Sequence, residues 1–309
     1  MNMINWRIST LNDLETLQNC AVVNNIIGNN YSALNTILYQ KKYQAQISFA
    51  DGFFYEKLSF GGNDYFTFPH KLNSEASLSV AIKKLTEEAE KNNNHLVFDN
   101  ITTEEKDTLL EFFPDAKVQD TPSFSDYIYL TSNLAQLPGK KYSKKRNHIN
   151  QFKTKHPNYS FELIKPENLM DARKIEDMWL AEATEKLSDL EAEKEIIYKA
   201  LENFELFSKV CGMTGGLLYV EEKPVAFCIA SLLSQNITDV HFEKCLSTYA
   251  RDGGYAIINN EFSKTVQTEY INREEDLGIE GLRKAKLSYY PEKVLEKFRV
   301  EIRLNKESN

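Results

Sequence analysis

Apolar positions in the first part of the chain switch repeatedly between the spacing of strands and that of helices. Runs rich in aromatic and β-branched residues predict three strands, Asp64–Phe68, His95–Asp99 and Asp126–Leu130. Apolar residues at helical spacing predict a helix starting near Ser74, with Leu78, Ala81, Ile82, Leu85 and Ala89 on one face. Thr103 is predicted to cap a short helix before the third strand. This order of elements indicates a mixed α/β domain.

The second part of the chain contains the clearest hairpin signal. Two apolar runs, Leu217–Val220 and Val225–Ala230, flank the polar turn 221–224. Four elements are predicted downstream of the hairpin, a strand at 239–246, a glycine turn, a helix at 255–266 and a closing strand at 295–304. Upstream, a strand at 161–164 and two helices at 167–183 and 189–207 are predicted, and Trp179 is interpreted as a core residue of the first of these helices.

The chain has 309 residues, of which 42% are hydrophobic and 27% are charged. This length exceeds what a single core usually supports, and the composition is that of a globular protein. We therefore predict a first lobe at 1–130, a connecting helix at 131–160 and a second lobe at 161–309. The fold class is α/β of the α+β type, with a mixed sheet flanked by helices in each lobe.

Positive charge is concentrated in one segment of an otherwise acidic chain. The net charge is −8, yet no acidic residue lies between Asp126 and Glu162. Five basic residues open this segment, which is predicted to be helical over 142–155: Lys140, Lys141, Lys144, Lys145 and Arg146. Such a run either contacts phosphate groups or forms a solvated helix face. We predict that it binds an anion, with tRNA as the partner.

Other sequence features exclude several classes of protein. No apolar stretch is long enough to span a bilayer, and the N-terminus lacks the order of a signal peptide, so a cytoplasmic protein is expected. The four cysteines show neither zinc spacing nor a disulfide pattern. We expect buried thiols, no metal and no tightly bound cofactor.

A glycine turn between the predicted strand and helix is a candidate anion site. Glycines let a ligand approach the backbone, and the N–H groups at a helix N-terminus attract anionic oxygens. The turn consists of Arg251, Asp252, Gly253, Gly254, Tyr255 and Ala256. The order hairpin, strand, glycine turn, helix and strand resembles the core of the GNAT acyltransferase fold, in which a turn of this pattern holds a pyrophosphate. An ordinary turn before a helix is the alternative interpretation.

Candidate catalytic residues lie on the same strand and on the segments that follow. His241 and Glu243 are two positions apart, so they are expected to face the same side and to supply a general base, or else to form a structural pair. Tyr289 is a candidate general acid. A polar stretch is predicted to line an acceptor pocket, with Asn272, Arg273, Glu274 and Asp276 as its residues.

Three segments, Gly139–Phe152, Ile175–Leu180 and Ile271–Leu287, resemble the C-terminal domain family of phosphatidylglycerol lysyltransferases. The resemblance covers nearly the whole chain and implies two tandem GNAT lobes. Members of that family move an amino acid from aminoacyl-tRNA to a membrane lipid, and relatives build peptidoglycan cross-bridges. The multi-span membrane module of the lipid enzymes is not found in this sequence.

The resemblance implies aminoacyl transfer from aminoacyl-tRNA to an amine or hydroxyl of a lipid, peptide or small molecule, with peripheral membrane contact as a further expectation. Two alternatives stay open. One is an acyl-CoA-dependent N-acyltransferase, which the glycine turn fits equally well. The other is a non-catalytic protein that binds a ligand or RNA, because a fold does not determine a function.

Overall fold

The computed structural model describes residues 4–73, 75–91, 95–182 and 187–304. Within them the chain forms two compact units: unit 1 comprises 4–126, 275–282 and 294–304, and unit 2 comprises 127–274 and 283–293. The predicted helix start at Ser74 and helix end at Ala183 lie outside the described residues.

Helices and strands alternate along residues 4–126. The helices are α1 (Leu14–Val23), α2 (Ala33–Leu38), α3 (Leu78–Lys91) and α4 (Thr103–Phe112). The strands are β1 (Gln46–Ala50), β2 (Phe53–Phe60), β3 (Asn63–Phe66), β4 (His70–Lys71), β5 (His95–Thr102) and β6 (Lys117–Asp120).

The rest of the chain adds eight helices and eight strands to the described residues. The helices are α5 (Thr131–Gln136), α6 (Ser143–Lys155), α7 (Leu169–Glu182), α8 (Leu187–Glu202), α9 (Phe204–Cys211), α10 (Ser247–Arg251), α11 (Gly254–Ser263) and α12 (Glu280–Leu287). The strands are β7 (Asp126–Leu130), β8 (Tyr159–Leu163), β9 (Thr214–Val220), β10 (Lys223–Ser234), β11 (Ile237–Cys245), β12 (Tyr270–Asn272), β13 (Lys293–Leu295) and β14 (Lys297–Arg303).

The sheet of unit 1 has the strand order β1-β2-β3-β5-β14-β6, with β4 beside β2. The pair β3–β5 is parallel and has one register position, Phe66 opposite Phe98. The prediction that the closing strand belongs to the second lobe was wrong, because β14 pairs with β5 and β6 of the unit 1 sheet. Its alternate residues Val300 and Ile302 are buried in the core of unit 1, which accounts for its place there.

The helix predictions for unit 1 are largely confirmed. The apolar stripe of α3 is buried at Ala81, Ile82, Leu85 and Ala89. The cap of α4 is Thr102 rather than the predicted Thr103. The Thr102 side chain accepts from the Glu105 N–H, and the Glu105 carboxylate accepts from the Thr102 N–H at 2.8 Å, so the two residues form a capping box.

In unit 2 the strands β7, β12, β11, β10, β9 and β8 lie side by side in that order. The hairpin β9–β10 is confirmed, and its turn is tighter than predicted. Glu221 and Glu222 have φ angles of 50° and 65°, the left-handed pair typical of a two-residue hairpin turn.

Two irregularities of the β11 strand shape unit 2. The parallel pair β11–β12 ends at Asp239 opposite Asn272, while β11 continues to Cys245, so the two strands separate there. On the other side of β11, the register with β10 shifts by one residue at His241, which is a β-bulge. The opening between β11 and β12 is the place where polar side chains can enter the sheet.

The predicted basic helix is present as α6, one residue shorter than expected at its start. Three apolar residues of this segment, Tyr142, Ile149 and Phe152, are all buried. All four cysteines are buried and free, as predicted. Among the described residues, no helix is both long enough and apolar enough to cross a membrane.

Candidate functional site

A buried ion pair occupies the opening between β11 and β12. Arg273 follows β12, and its Nη2 donates to both carboxylate oxygens of Glu243 on β11, at 3.1 and 3.2 Å. Each side chain is only 13% exposed. The other terminal nitrogen of Arg273, Nη1, is buried and has no hydrogen-bond partner in the part of the chain that the structure describes. Since buried donors are nearly always paired, this nitrogen can serve a ligand.

Two tyrosines line the guanidinium of Arg273. Its Cζ lies 5.0 Å from the ring centre of Tyr289 and 5.9 Å from that of Tyr129. The Tyr129 hydroxyl donates to the carbonyl of Lys286 at 2.9 Å. Burial raises the pKa of Tyr289 to about 12, against the opposing charge of Arg273. Tyr289 is therefore protonated at neutral pH and can donate a hydrogen bond.

Lys145 of α6 reaches the same ring. Its Nζ lies 3.7 Å from the ring centre of Tyr289. Burial, and after it the charge of Arg273, lower the pKa of Lys145 to about 8, and the charge of Glu243 acts in the opposite direction. The site thus holds two cations around one tyrosine ring, one of which can lose its proton near neutral pH.

The prediction that His241 and Glu243 face the same side was wrong. The β-bulge at His241 breaks the two-residue period of β11, so these side chains point to opposite faces of the sheet. Glu243 meets Arg273, whereas His241 contacts Ser231 through Nε2 at 2.8 Å and Glu274 through Nδ1 at 3.1 Å. Arg273 and Glu274, which are adjacent in sequence, likewise point to opposite faces.

The His241 cluster is the group of described residues with the donor atoms for a metal ion. The donor atoms of Asp239, His241 and Glu274 lie within 4.8 Å of one another. His241 Nδ1 lies 3.1 Å from a Glu274 carboxylate oxygen and 3.6 Å from an Asp239 carboxylate oxygen. The hydrogen bonds of Ser231 and Glu274 to the imidazole also fit a metal-free network. The expectation of a metal-free protein stays a prediction.

The glycine turn has a packing explanation in this fold. The short helix α10 precedes it, and a Cβ added at Gly253 would meet the His148 carbonyl oxygen at 2.3 Å. A Cβ at Gly254 would lie 2.4 Å from Cys245 Sγ. Close packing of α11 therefore requires both glycines. The N–H of Gly253 donates to the Ala250 carbonyl at 3.1 Å, so it is not available to an anion.

The other predicted donor residues differ in exposure. Arg251 and Tyr255 are exposed, and Ala256 is buried in the core beneath α11. Asp252, within the turn, forms ion pairs with Lys155 and with His156, the latter at 3.0 Å. The anion-binding role of the turn stays a prediction.

The five predicted tRNA-binding residues divide into three kinds. Lys140, Lys141 and Lys144 are exposed. The guanidinium of Arg146 donates to the carbonyls of Leu137 at 2.5 Å and Gly139 at 2.7 Å, so it stabilises the loop before α6. Lys145 is half-buried, and its Nζ lies over the ring of Tyr289.

The predicted acceptor residues also have separate surroundings. Of these four residues, Arg273 pairs with Glu243 and Glu274 contacts His241. Asn272 Oδ1 accepts from the Glu274 N–H at 2.7 Å, which shapes the backbone after β12. Asp276 belongs to unit 1, where its Oδ1 accepts from the Gly278 N–H at 2.8 Å.

Several polar residues of unit 2 were not predicted. Tyr129 and Ser231 carried no sequence signal, because each lies in an apolar run that indicates only a strand. Trp179, interpreted as core, is half-buried with the Lys244 Nζ 3.7 Å from its ring centre. Glu176, one helical turn before Trp179, is fully buried. Its position on the apolar stripe of α7 was the signal that could have identified it.

The two units have the mixed α/β fold of two tandem GNAT-like lobes, as predicted. FemX has the same fold, with a TM-score of 0.58 over 98% of both chains at 8% identity. L-PGS from Bacillus licheniformis gives a TM-score of 0.62 at 15% identity, covering 89% of this chain and 88% of that one.

The model of the family described as phosphatidylglycerol lysyltransferase, C-terminal, matches residues 25–301. The chain therefore belongs to this family. A conserved protein of unknown function from Bacteroides thetaiotaomicron VPI-5482 is 33% identical, with a TM-score of 0.88 over 97% of this chain and 100% of that chain.

A curated relative, an uncharacterized protein of Mycoplasmoides gallisepticum, is 24% identical over 185 residues. That match covers 58% of this chain and 57% of the relative, so it spans little more than half of either protein.

Proposed function

We propose that unit 2 transfers an aminoacyl group from aminoacyl-tRNA to an amine or hydroxyl acceptor. The observation that carries this proposal is the buried Arg273 at the strand opening, held by Glu243 and with Nη1 unpaired among the described residues. Acyl transfer builds negative charge on the carbonyl oxygen of the donor ester. A buried, pre-oriented cationic donor is the group that stabilises such a charge most strongly.

The side chains around Arg273 fit separate tasks in this reaction. Arg273 Nη1 donates to the developing oxyanion, and Glu243 keeps the guanidinium in place through its two hydrogen bonds. Tyr289 is protonated at neutral pH and supplies a second donor from the neighbouring ring. The ester bond of the donor already carries the driving force, so the main work of the protein is positioning.

Family membership favours aminoacyl-tRNA over acyl-CoA as the donor. The family is named for a phosphatidylglycerol lysyltransferase. An acyl-CoA enzyme of this fold binds the pyrophosphate with backbone N–H groups of the turn. The N–H groups of Asp252 and Gly253 donate to Tyr249 and Ala250 at 3.1 Å, so such contacts would fall to the residues that follow in the turn.

The exposed lysines at the start of α6 supply the tRNA contact in this proposal. Lys140, Lys141 and Lys144 are exposed, and Lys141 Nζ lies 5.3 Å from the ring centre of Tyr290, the residue after Tyr289. Phosphate contacts by such lysines position RNA without reading its sequence. Charged tRNA is a cytoplasmic substrate, so the proposal places the reaction in the cytoplasm. The acceptor is a lipid, reached by peripheral membrane contact, or else a peptide or a small molecule.

The direct test follows the label of a radioactive aminoacyl group. Purified protein is mixed with charged tRNAs and, separately, with labelled acetyl-CoA, in the presence of a cell extract freed of tRNA and synthetases. We expect label to leave the tRNA for an acid-stable product, and we expect no product from acetyl-CoA. Lipid extraction and peptide fractionation then identify the class of acceptor.

Two other outcomes would overturn the proposal. Label transferred only from acetyl-CoA would favour the acyl-CoA enzyme. Binding of tRNA without any transfer, across all charged tRNAs, would favour the non-catalytic RNA-binding protein. Arg299→Met is the control variant, because Arg299 forms a comparable ion pair with Asp99 in unit 1 and should leave transfer unchanged.

A further inference from the structure

Lys145 differs from its neighbours on the basic helix α6. Lys144 is exposed, whereas Lys145 is half-buried and its Nζ lies 3.7 Å from the ring centre of Tyr289. A lysine that binds phosphate needs an exposed ammonium group. The position of Lys145 is instead that of a side chain belonging to the transfer site.

The charges around Lys145 favour loss of its proton. The groups that face it come from three segments: Glu243 on β11, Arg273 after β12 and Tyr289 after α12, with Tyr129 of β7 lying against Arg273. Both oxygens of Glu243 are engaged by Arg273. An arginine keeps its proton in proteins, whereas a lysine readily loses its own when it is desolvated beside another cation. Of the two cations around the Tyr289 ring, Lys145 is therefore the one that titrates.

We infer that Lys145 is the proton-transfer residue of this site, and this inference rests on the acyl transfer proposed above. Neutral Nζ takes a proton from the acceptor amine or hydroxyl as its nitrogen or oxygen bonds to the ester carbonyl carbon. The bond between that carbon and the ribose oxygen of the donor then breaks. The Lys145 ammonium returns the proton to the departing oxygen, so no proton is gained or lost by the protein.

The lowered pKa of Lys145, about 8, supports this role because a useful fraction of the amine is neutral near physiological pH. It also argues against the predicted task of Lys145 in holding tRNA. The two roles differ in a measurable way, since a phosphate-binding lysine titrates near its ordinary pKa of about 10.4.

The first test measures the titration of Lys145 without any substrate. Lysines are labelled with a trace of acetic anhydride between pH 6 and 11, and the labelling of each peptide is quantified by mass spectrometry. We expect the midpoint for Lys145 near pH 8, well below the ordinary lysine value of about 10.4. A midpoint for Lys145 at the ordinary value would overturn the inference while leaving the proposed transfer untouched.

The second test uses the transfer reaction. Lys145→Arg keeps the positive charge but cannot release a proton, and it should lower the rate about 10²- to 10⁴-fold, the usual contribution of general acid–base catalysis. The same replacement at an exposed site, Lys209→Arg, is the control and should be neutral.

Two further readouts separate proton transfer from a structural role. The wild-type rate should rise with pH through a midpoint near 8, and this limb should vanish in Lys145→Ala. Small primary amines added to Lys145→Ala should restore part of the rate, more so as their basicity increases. An unchanged pH profile, or a full rate in Lys145→Arg, would show that Lys145 only packs against Tyr289.

Discussion

The two units differ at the end of a short parallel strand pair that both sheets contain. This pair is β3–β5 in unit 1 and β11–β12 in unit 2. In unit 1, the hydroxyl of Tyr31 closes the end of the pair. It accepts from the Phe68 N–H at 3.2 Å and donates to the Glu105 carboxylate at 3.3 Å. In unit 2, the charged pair of Arg273 and Glu243 occupies the equivalent place.

The difference lies in which polar atoms remain available. Glu105 also caps α4, and Tyr31 has both a donor and an acceptor partner, so these two side chains of unit 1 complete the local fold. Arg273, at the matching place in unit 2, keeps one buried nitrogen unpaired among the described residues. An unsatisfied buried donor costs about 1–3 kcal/mol, a cost that a bound ligand would remove. The proposed function therefore places the chemistry at the opening of unit 2.

The largest expected effect is on the stability of unit 1. Lys297 Nζ donates to Asp126 at 2.8 Å and to Asn29 at 2.5 Å, and the side chains of Lys297 and Asp126 are 2% and 0% exposed. Lys297→Met leaves the Asp126 carboxylate buried without its cation, which should cost about 3–5 kcal/mol in urea unfolding. Transfer by the molecules that remain folded should be normal. A loss of transfer at full stability would mean that unit 1 takes part in the chemistry.

The second prediction concerns the opening of unit 2. Arg273→Met should lower the transfer rate about 10²- to 10³-fold, the range found when one oxyanion donor is removed. The double variant Arg273→Met with Glu243→Leu should recover much of the stability that the single variant loses, since no buried charge stays unpaired. It should recover none of the activity. Recovery of both would make the ion pair purely structural.

The third prediction is that the free energy of unfolding depends on pH, through one buried carboxyl in each unit. Burial raises the pKa of Glu176 in unit 2 to about 7 and that of Glu56 in unit 1 to about 8. These values exceed the ordinary value near 4.5, so each buried carboxyl stabilises the fold in its protonated form. Its contribution to the free energy of unfolding is complete at pH 4 and is lost as pH rises to 7 or 8.

This loss is measurable by thermal or urea unfolding at several pH values. It amounts to about 3 kcal/mol for Glu176, at about 1.4 kcal/mol per pKa unit. Glu176→Gln and Glu56→Gln should each flatten part of the fall in stability between pH 5 and 8. A wild-type protein whose stability is constant over this range would contradict the burial of both carboxyls.

The positions of several strands were predictable, because they rest on local patterns. Asp126–Leu130 was predicted with its observed bounds, and the hairpin β9–β10 followed from two apolar runs around a polar turn. The sheet that β14 joins was not predictable from its own residues. Its alternation of buried and less buried positions fits a strand of either sheet, and only the long-range pairing with β5 and β6 decides between them.

The candidate site was predicted in its residues but not in its geometry. Glu243 and Arg273 were assigned to different roles, and their ion pair depends on two strands that are distant in sequence. The bulge at His241 is invisible in the sequence, because it is a register shift against β10 and leaves no mark on β11 itself. The two glycines were predicted to let a ligand approach the backbone, which stays a prediction, and their packing against His148 and Cys245 was not predicted.

The smallest expected effect is on the salt dependence of tRNA binding. Replacing Lys140, Lys141 and Lys144 together with alanine should lower the log–log salt slope by about 2 to 3, since each lysine neutralises about one phosphate. Filter binding at several salt concentrations measures this slope. Equal slopes for wild type and variant would reduce the start of α6 to a solvated surface.

The most direct test of the central claim is whether the opening of unit 2 recognises an aminoacyl ester. A short RNA hairpin carrying an amino acid through a stable 3′-amide, and the same hairpin without it, are titrated into the protein by calorimetry. We predict tighter binding of the charged hairpin, a preference that Arg273→Met abolishes and Arg299→Met preserves. Equal affinity for both hairpins, or a preference that survives Arg273→Met, would contradict the assignment of chemistry to unit 2.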